Sequence, residues 1–164
     1  MAILLPVVVL SALAGGPDKA AAECLDRVRE YHGAIDPWAV AGCRIGRRAL
    51  QELGLPRHSG RLRVVWRCPA VSPYAAVADG LQAATGASPG KLTLKLEPAP
   101  LARMAAVVQD RKTGRTLTFT LLPAFVQALI AAGKDKREAQ GRRAAALAEG
   151  EIFRSDETSP ALGK

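Results

Sequence analysis

Between Asp36 and Gly54 the chain spells out a complete helix with both ends marked, and this segment limits the fold more than any other. Asp36-Pro37 offers a capping carboxylate followed by a proline at the first helical position, where a missing N–H costs nothing. Gly54 is suited to end the helix in the left-handed conformation. Between these ends Trp38, Ala41, Gly42, Ile45, Ala49 and Leu53 make the expected buried stripe. Gly42 and Gly46 stand one turn apart, and each costs about 1 kcal/mol of helix propensity relative to Ala. The expected return is the close approach of a second element to this helix's backbone.

The remaining elements follow from periodicity and punctuation. A first helix is expected over 17–32, with Ala21, Leu25, Val28 and His32 on one face and a break at Gly33. Residues 62–68 (LRVVWRC) are β-rich and stop at Pro69. A third helix is expected over 73–84, capped by Ser72 and followed by Thr85-Gly86. Over 91–97 the alternation is strict. Lys91, Thr93, Lys95 and Glu97 face one way and Leu92, Leu94 and Leu96 the other, the pattern of a half-buried strand. Segments 102–109 and 115–121 read as a hairpin around 110–114, with Gly114 as its left-handed residue. A further apolar helix fits 123–132 and breaks at Gly133.

This order predicts an α+β fold, an antiparallel sheet covered by helices. At 164 residues the chain suits one domain, expected over 20–132. The segment 133–164 is expected to be an appendage, a solvated charged helix anchored by Leu147 and then a flexible polar tail. Residues 1–19 read as an apolar leader or signal peptide. No charge precedes Asp18, and Ala12 and Ala14 give a small-residue cleavage pattern, although no Lys or Arg opens the segment and Pro6 interrupts it. An exported location is favoured over a cytoplasmic one on this ground.

Composition removes several chemistries. There are three cysteines and two histidines, with no CxxC pair, which excludes a zinc ribbon, a thioredoxin-type site and a multi-histidine metal centre. Cys24 and Cys43 fall in helices and read as buried small hydrophobes. Cys68, at a strand end, reads as the more exposed thiol. Gly90-Lys91 is followed by Leu92, so a nucleotide P-loop is rejected. Lys and Arg number 23 against 15 Asp and Glu, a net charge of +8. Arg44, Arg47, Arg48, Arg57, Arg61, Arg63 and Arg67 crowd one stretch with Glu52 as its only acid. Phosphate neutralisation by such a stretch would support nucleic-acid binding. However, Trp38, Trp66 and Tyr74 lack the spacing of a stacking platform, and nucleic acid is the disfavoured partner.

Three blocks of sequence resemble the FmdE domain, named for a component of formylmethanofuran dehydrogenase. The first runs from Tyr31-His32-Gly33 through Pro37 and Gly42-Cys43-Arg44-Ile45-Gly46 to Ala49-Leu50-Gln51-Glu52-Leu53-Gly54. The second comprises 76–82 (AVADGLQ) and 85–91 (TGASPGK), and the third is 110–115 (DRKTGR). The resemblance spans residues 20–122 and implies the family's α+β fold. It also implies a thiolate–imidazole metal site drawing on two motif histidines and the motif cysteines, whose soft sulfur and ring nitrogen suit zinc.

In this chain only the first motif histidine remains, as His32. Ala34 stands at the second, Asp36 at the motif cysteine, and Ala76 and Ala87 at the cysteines of the second block. No cofactor is therefore expected, with zinc the alternative. What the resemblance implies instead is an accessory or ligand-binding protein whose partner is another protein or a second copy. In the family register His32, Asp36 and Asp79 converge on one cleft and form the candidate acid–base set. Arg44, Gln82, Thr85 and Lys91 are the candidates for holding a small anion. An acid–base enzyme acting on a small anionic substrate is the alternative function, and it requires His32, Asp36 and Asp79 to lie within hydrogen-bond reach of one another.

Overall fold

The computed structural model describes residues 17–158. The leader expected over 1–19 therefore lies almost wholly outside the described residues. From Pro17 the order is α1 (Pro17–His32), α2 (Pro37–Leu53), β1 (Leu62–Cys68), α3 (Ala76–Thr85) and β2 (Leu94–Pro98). There follow β3 (Ala105–Asp110), β4 (Thr116–Leu121), α4 (Pro123–Ala132), α5 (Arg137–Ala146) and β5 (Phe153–Thr158), with single 3-10 turns in several connections.

The helix marked out by Asp36 and Gly54 is the centre of the molecule. Asp36 Oδ1 accepts from Trp38 N at 2.9 Å and Ala39 N at 3.3 Å, and Gly54 is left-handed at φ 62°. The expected stripe is buried, joined by Pro37, Ala39, Val40, Cys43 and Gly46. The close approach that its glycines predict is made by α3. A Cβ on Gly42 would lie 2.0 Å from Val77 O, and one on Gly80 would lie 1.8 Å from Ala39 O. The two helices cross backbone against backbone, each lending the other a glycine.

The sheet has five strands in the order β2-β1-β3-β4-β5. Its cross-strand rows follow the register: Leu94, Val64, Val108 and Leu117 in one, then Leu96, Trp66, Ala106 and Phe119 in the next. The α+β class holds across the described residues, but the sheet is mixed, not purely antiparallel, because β1 and β2 run parallel. The reason is topological. The connection from Cys68 to Leu94 carries a whole helix, α3, and so has the length to return the chain to the starting edge.

Four local expectations are corrected. The third helix begins at Ala76, after a turn through Ser72-Pro73, and Ser72 does not cap it. The strand expected from 91 begins at Leu94, because 89–91 coil into a 3-10 turn that ends at a left-handed Leu92. Leu92 is accordingly 89% exposed, and Leu96 is 41% exposed because β2 lies at the sheet edge. Cys68 is buried, like Cys24 and Cys43. Finally, residues 137–158 are built into the fold. Gly141, Ala144 and Ala145 bury one face of α5, with Ile35 packed onto Gly141, and β5 completes the sheet by pairing with β4.

Candidate functional site

His32 ends α1, Asp36 caps α2 four residues later, and Asp79 stands in the first turn of α3. The packing of α3 against the first two helices brings His32 and Asp79 into hydrogen-bond contact and leaves Asp36 nearby but beyond hydrogen-bond reach of the ring. His32 Nδ1 lies 2.7 Å from Asp79 Oδ2, and His32 Nε2 lies 3.9 Å from Asp36 Oδ2. A carboxylate only accepts, so the Nδ1 nitrogen carries the proton of the first contact. That assignment leaves Nε2 as the nitrogen turned toward Asp36. The ring is 21% exposed and the Asp36 carboxylate 3%.

The sequence does not suggest the fourth member. Arg137, at the start of α5, places Nε 3.2 Å from Asp36 Oδ2. Both Asp36 oxygens are thus engaged, Oδ1 with the helix cap and Oδ2 with a guanidinium. The signal that could have found Arg137 lies in α5 itself. Gly141, Ala144 and Ala145 make a small-residue face at positions that repeat every turn, and Arg137 precedes that face by one turn.

Beside this network opens a groove of about 320 Å3. Asp36 and Arg137 form its polar end, with Trp38, Tyr74, Leu129 and Ile130 among its apolar walls. Trp38 and Tyr74 meet edge to face at 5.1 Å.

The residues expected to hold an anion divide. Arg44 turns away from the cleft, and its Nη1 donates to Ala144 O at 2.9 Å and to Leu147 O, satisfying carbonyls left open at the end of α5. Thr85 is fully buried; its hydroxyl donates to Leu81 O at 2.6 Å and accepts from Ala87 N at 3.1 Å, tying off the end of α3. Gln82 is half-buried on α3. Lys91 is exposed on the 3-10 turn, where Nζ donates to Gly86 O at 3.1 Å.

The arginine-rich stretch does not form one face. Arg47 reaches Ala20 O, Arg48 pairs with Glu52 and Glu149, Arg61 with Asp110 and Arg67 with Glu97. Acids distant in sequence supply most of these partners. Among the described residues, no three His, Cys, Asp or Glu side chains are arranged to hold a metal ion. No helix among them is long and apolar enough to cross a membrane.

Helices gathered around a glycine-sealed α2–α3 crossing, on a five-stranded mixed sheet, define an α+β protein whose motif residues meet at the helix ends. The chain belongs to the FmdE family: the model described as "FmdE, Molybdenum formylmethanofuran dehydrogenase operon" matches residues 31–158. Among solved structures, it resembles a tungsten formylmethanofuran dehydrogenase FmdE-like protein from Syntrophus aciditrophicus. The TM-score is 0.56 at 17% identity, over 87% of this chain and 73% of that one. Comparison with curated proteins finds no match.

Proposed function

We propose that this protein is an FmdE-type accessory protein that acts by binding, and that an internal ion pair has taken the place of the family's metal site. The observation that carries the reading is the Arg137–Asp36 contact at 3.2 Å. A thiolate–imidazole zinc site needs sulfur and a second imidazole, and at those motif positions stand Asp36, Ala34, Ala76 and Ala87. The donors that remain do not fit the ion. His32 Nδ1 is bonded to Asp79, and Asp36 already faces a guanidinium whose positive charge repels a second cation.

The groove beside Asp36 is the proposed ligand site. Its apolar walls suit the apolar body of a small molecule, and the part of the Arg137 guanidinium beyond the Nε that Asp36 engages suits an anionic head. Trp38 lines this groove, while Trp66 is fully buried. Titration with phenylacetate should therefore perturb Trp38 emission saturably, and Arg137→Met should weaken binding tenfold or more. Equal responses to phenylacetate and its neutral amide, or none to either, would contradict the assignment.

A second reading rests on the 2.7 Å contact between His32 and Asp79. A carboxylate that fixes the Nδ1 proton orients the ring and leaves Nε2 to take a proton from a substrate. That enzyme would be metal-independent, and its turnover would disappear in His32→Gln.

A further inference from the structure

Arg57 and His58 lie on the loop between α2 and β1, remote in sequence from the groove residues. His58 N donates to Thr85 O at 2.8 Å, and its backbone is left-handed at φ 65°. Side chains rarely adopt that conformation without something to hold it. Here it sets the imidazole over Gly86, where a Cβ would lie 2.1 Å from Nδ1. The ring therefore fits only because residue 86 is glycine.

Two cations close on this ring. Arg57 Nη1 stands 2.6 Å from Nε2, and Lys91 Nζ stands 3.4 Å from Nδ1. Both cations are braced. Arg57 donates from Nε to Ala83 O at 3.2 Å and from Nη2 to Tyr31 Oη at 3.2 Å, and its guanidinium lies 5.9 Å from the Tyr31 ring centre. Lys91 is held by Gly86 O at 3.1 Å. The arginines Arg48, Arg61, Arg67, Arg115 and Arg137 each have a carboxylate partner. Among the described residues Arg57 and Lys91 have none. Two segments, the loop of Arg57 and His58 and the turn of Lys91, thus bring positive charge and an imidazole to one place, and no acid among the described residues pairs with either cation.

We propose that Arg57, His58 and Lys91 form a binding site for the phosphate group of a small molecule, with Tyr31 as its aromatic edge. The guanidinium of Arg57 and the ammonium of Lys91 flank the ring at its two nitrogens, and a tetrahedral anion seated against them can accept from both at once. A planar carboxylate would engage one fork of the set. A polynucleotide would need further phosphate contacts along a track, and the neighbouring Arg44, Arg47 and Arg61 are committed to carbonyls or to Asp110. The site shares no residue with the groove at Asp36 and does not depend on it.

Protonation of His58 reports occupancy. Arg57 on its own loop and Lys91 on the 3-10 turn hold the imidazole below its usual value, with Arg27 of α1 adding to the same effect and a hydrogen bond to the Gly86 backbone opposing it. The Tyr31 hydroxyl faces Arg57 from α1. A bound dianion reverses the local field and shifts the ring toward imidazolium at constant pH.

The chain's two histidines allow both sites to be followed in one experiment. Ring resonances are recorded at constant pH and ionic strength while inorganic phosphate replaces chloride, with His58→Gln used for assignment. His58 should move saturably toward imidazolium while His32 stays unchanged, and Lys91→Met and Arg57→Met should each raise the Kd at least tenfold in a protein with otherwise unchanged spectra. A response that does not saturate, or that survives Lys91→Met, would overturn the assignment. So would a shift of His32 alone, or an oligodeoxynucleotide whose affinity climbs with each added phosphate.

Discussion

Asp36 does two jobs with one side chain, and only one was legible in the sequence. A carboxylate before proline and an apolar helix announces a cap, and the cap is there. The salt bridge to Arg137 spans about a hundred residues and depends on α5 docking, which no local pattern around Asp36 encodes. The two roles separate by mutation: Asp36→Ala should cost about 1–2 kcal/mol in urea denaturation, and Asp36→Asn, which keeps a capping oxygen, roughly half of that. Asp110 is a second buried carboxylate with a partner distant in sequence. Arg61 above all, then Thr113 and the Lys112 N–H, hold its carboxyl well below the usual range. The folded state therefore binds that proton less tightly than the unfolded chain. Its stabilisation is complete above the unfolded value of about 4 and is lost as pH falls further. Urea midpoints measured from about pH 5 downward should drop in the natural protein and drop less in Asp110→Asn.

At the scale of elements, the glycines of α2 were informative because they cost helix propensity without an evident local use. Their use is the α2–α3 crossing, where Ala39 O and Val77 O occupy the space that side chains would need. Gly42→Ala and Gly80→Ala should each destabilise by about 1–3 kcal/mol or more, since backbone cannot yield as a flexible side chain can. The measurement is the shift in denaturation midpoint, with Gly54→Ala as a comparison that strains only a cap. By contrast, β5 was read as tail because 154–158 are all polar, as an edge strand with one buried end requires. Its anchor is Phe153, buried edge to face against Phe119 at 5.5 Å. Phe153→Ala should cost about 3 kcal/mol, detected as an earlier thermal transition. The start of α3 was misplaced for a different reason. Ser72-Pro73 resembles a capped helix start, but the chain uses it for a turn that brings Tyr74 to Trp66, whose Nε1 donates to Tyr74 O at 3.0 Å.

For the whole molecule, the net charge of +8 pointed first toward polyanions. In the fold part of that charge goes to capping, to salt bridges with distant acids and to one compact cluster at His58. The architecture and the meeting of His32, Asp36 and Asp79 could be read from family motifs, because those motifs mark helix ends. Arg137 and His58 could not, because each matters through an element packed against it from far along the chain. The Arg137 guanidinium is proposed to take the electrostatic role of a metal in the family site. That role is tested most directly by metal analysis of the purified natural protein beside an Ala34→His, Asp36→Cys, Ala87→Cys variant, both dialysed against the same zinc buffer. Zinc should be bound in the variant, with none above background in the natural protein. Stoichiometric zinc in the natural protein would contradict the proposal.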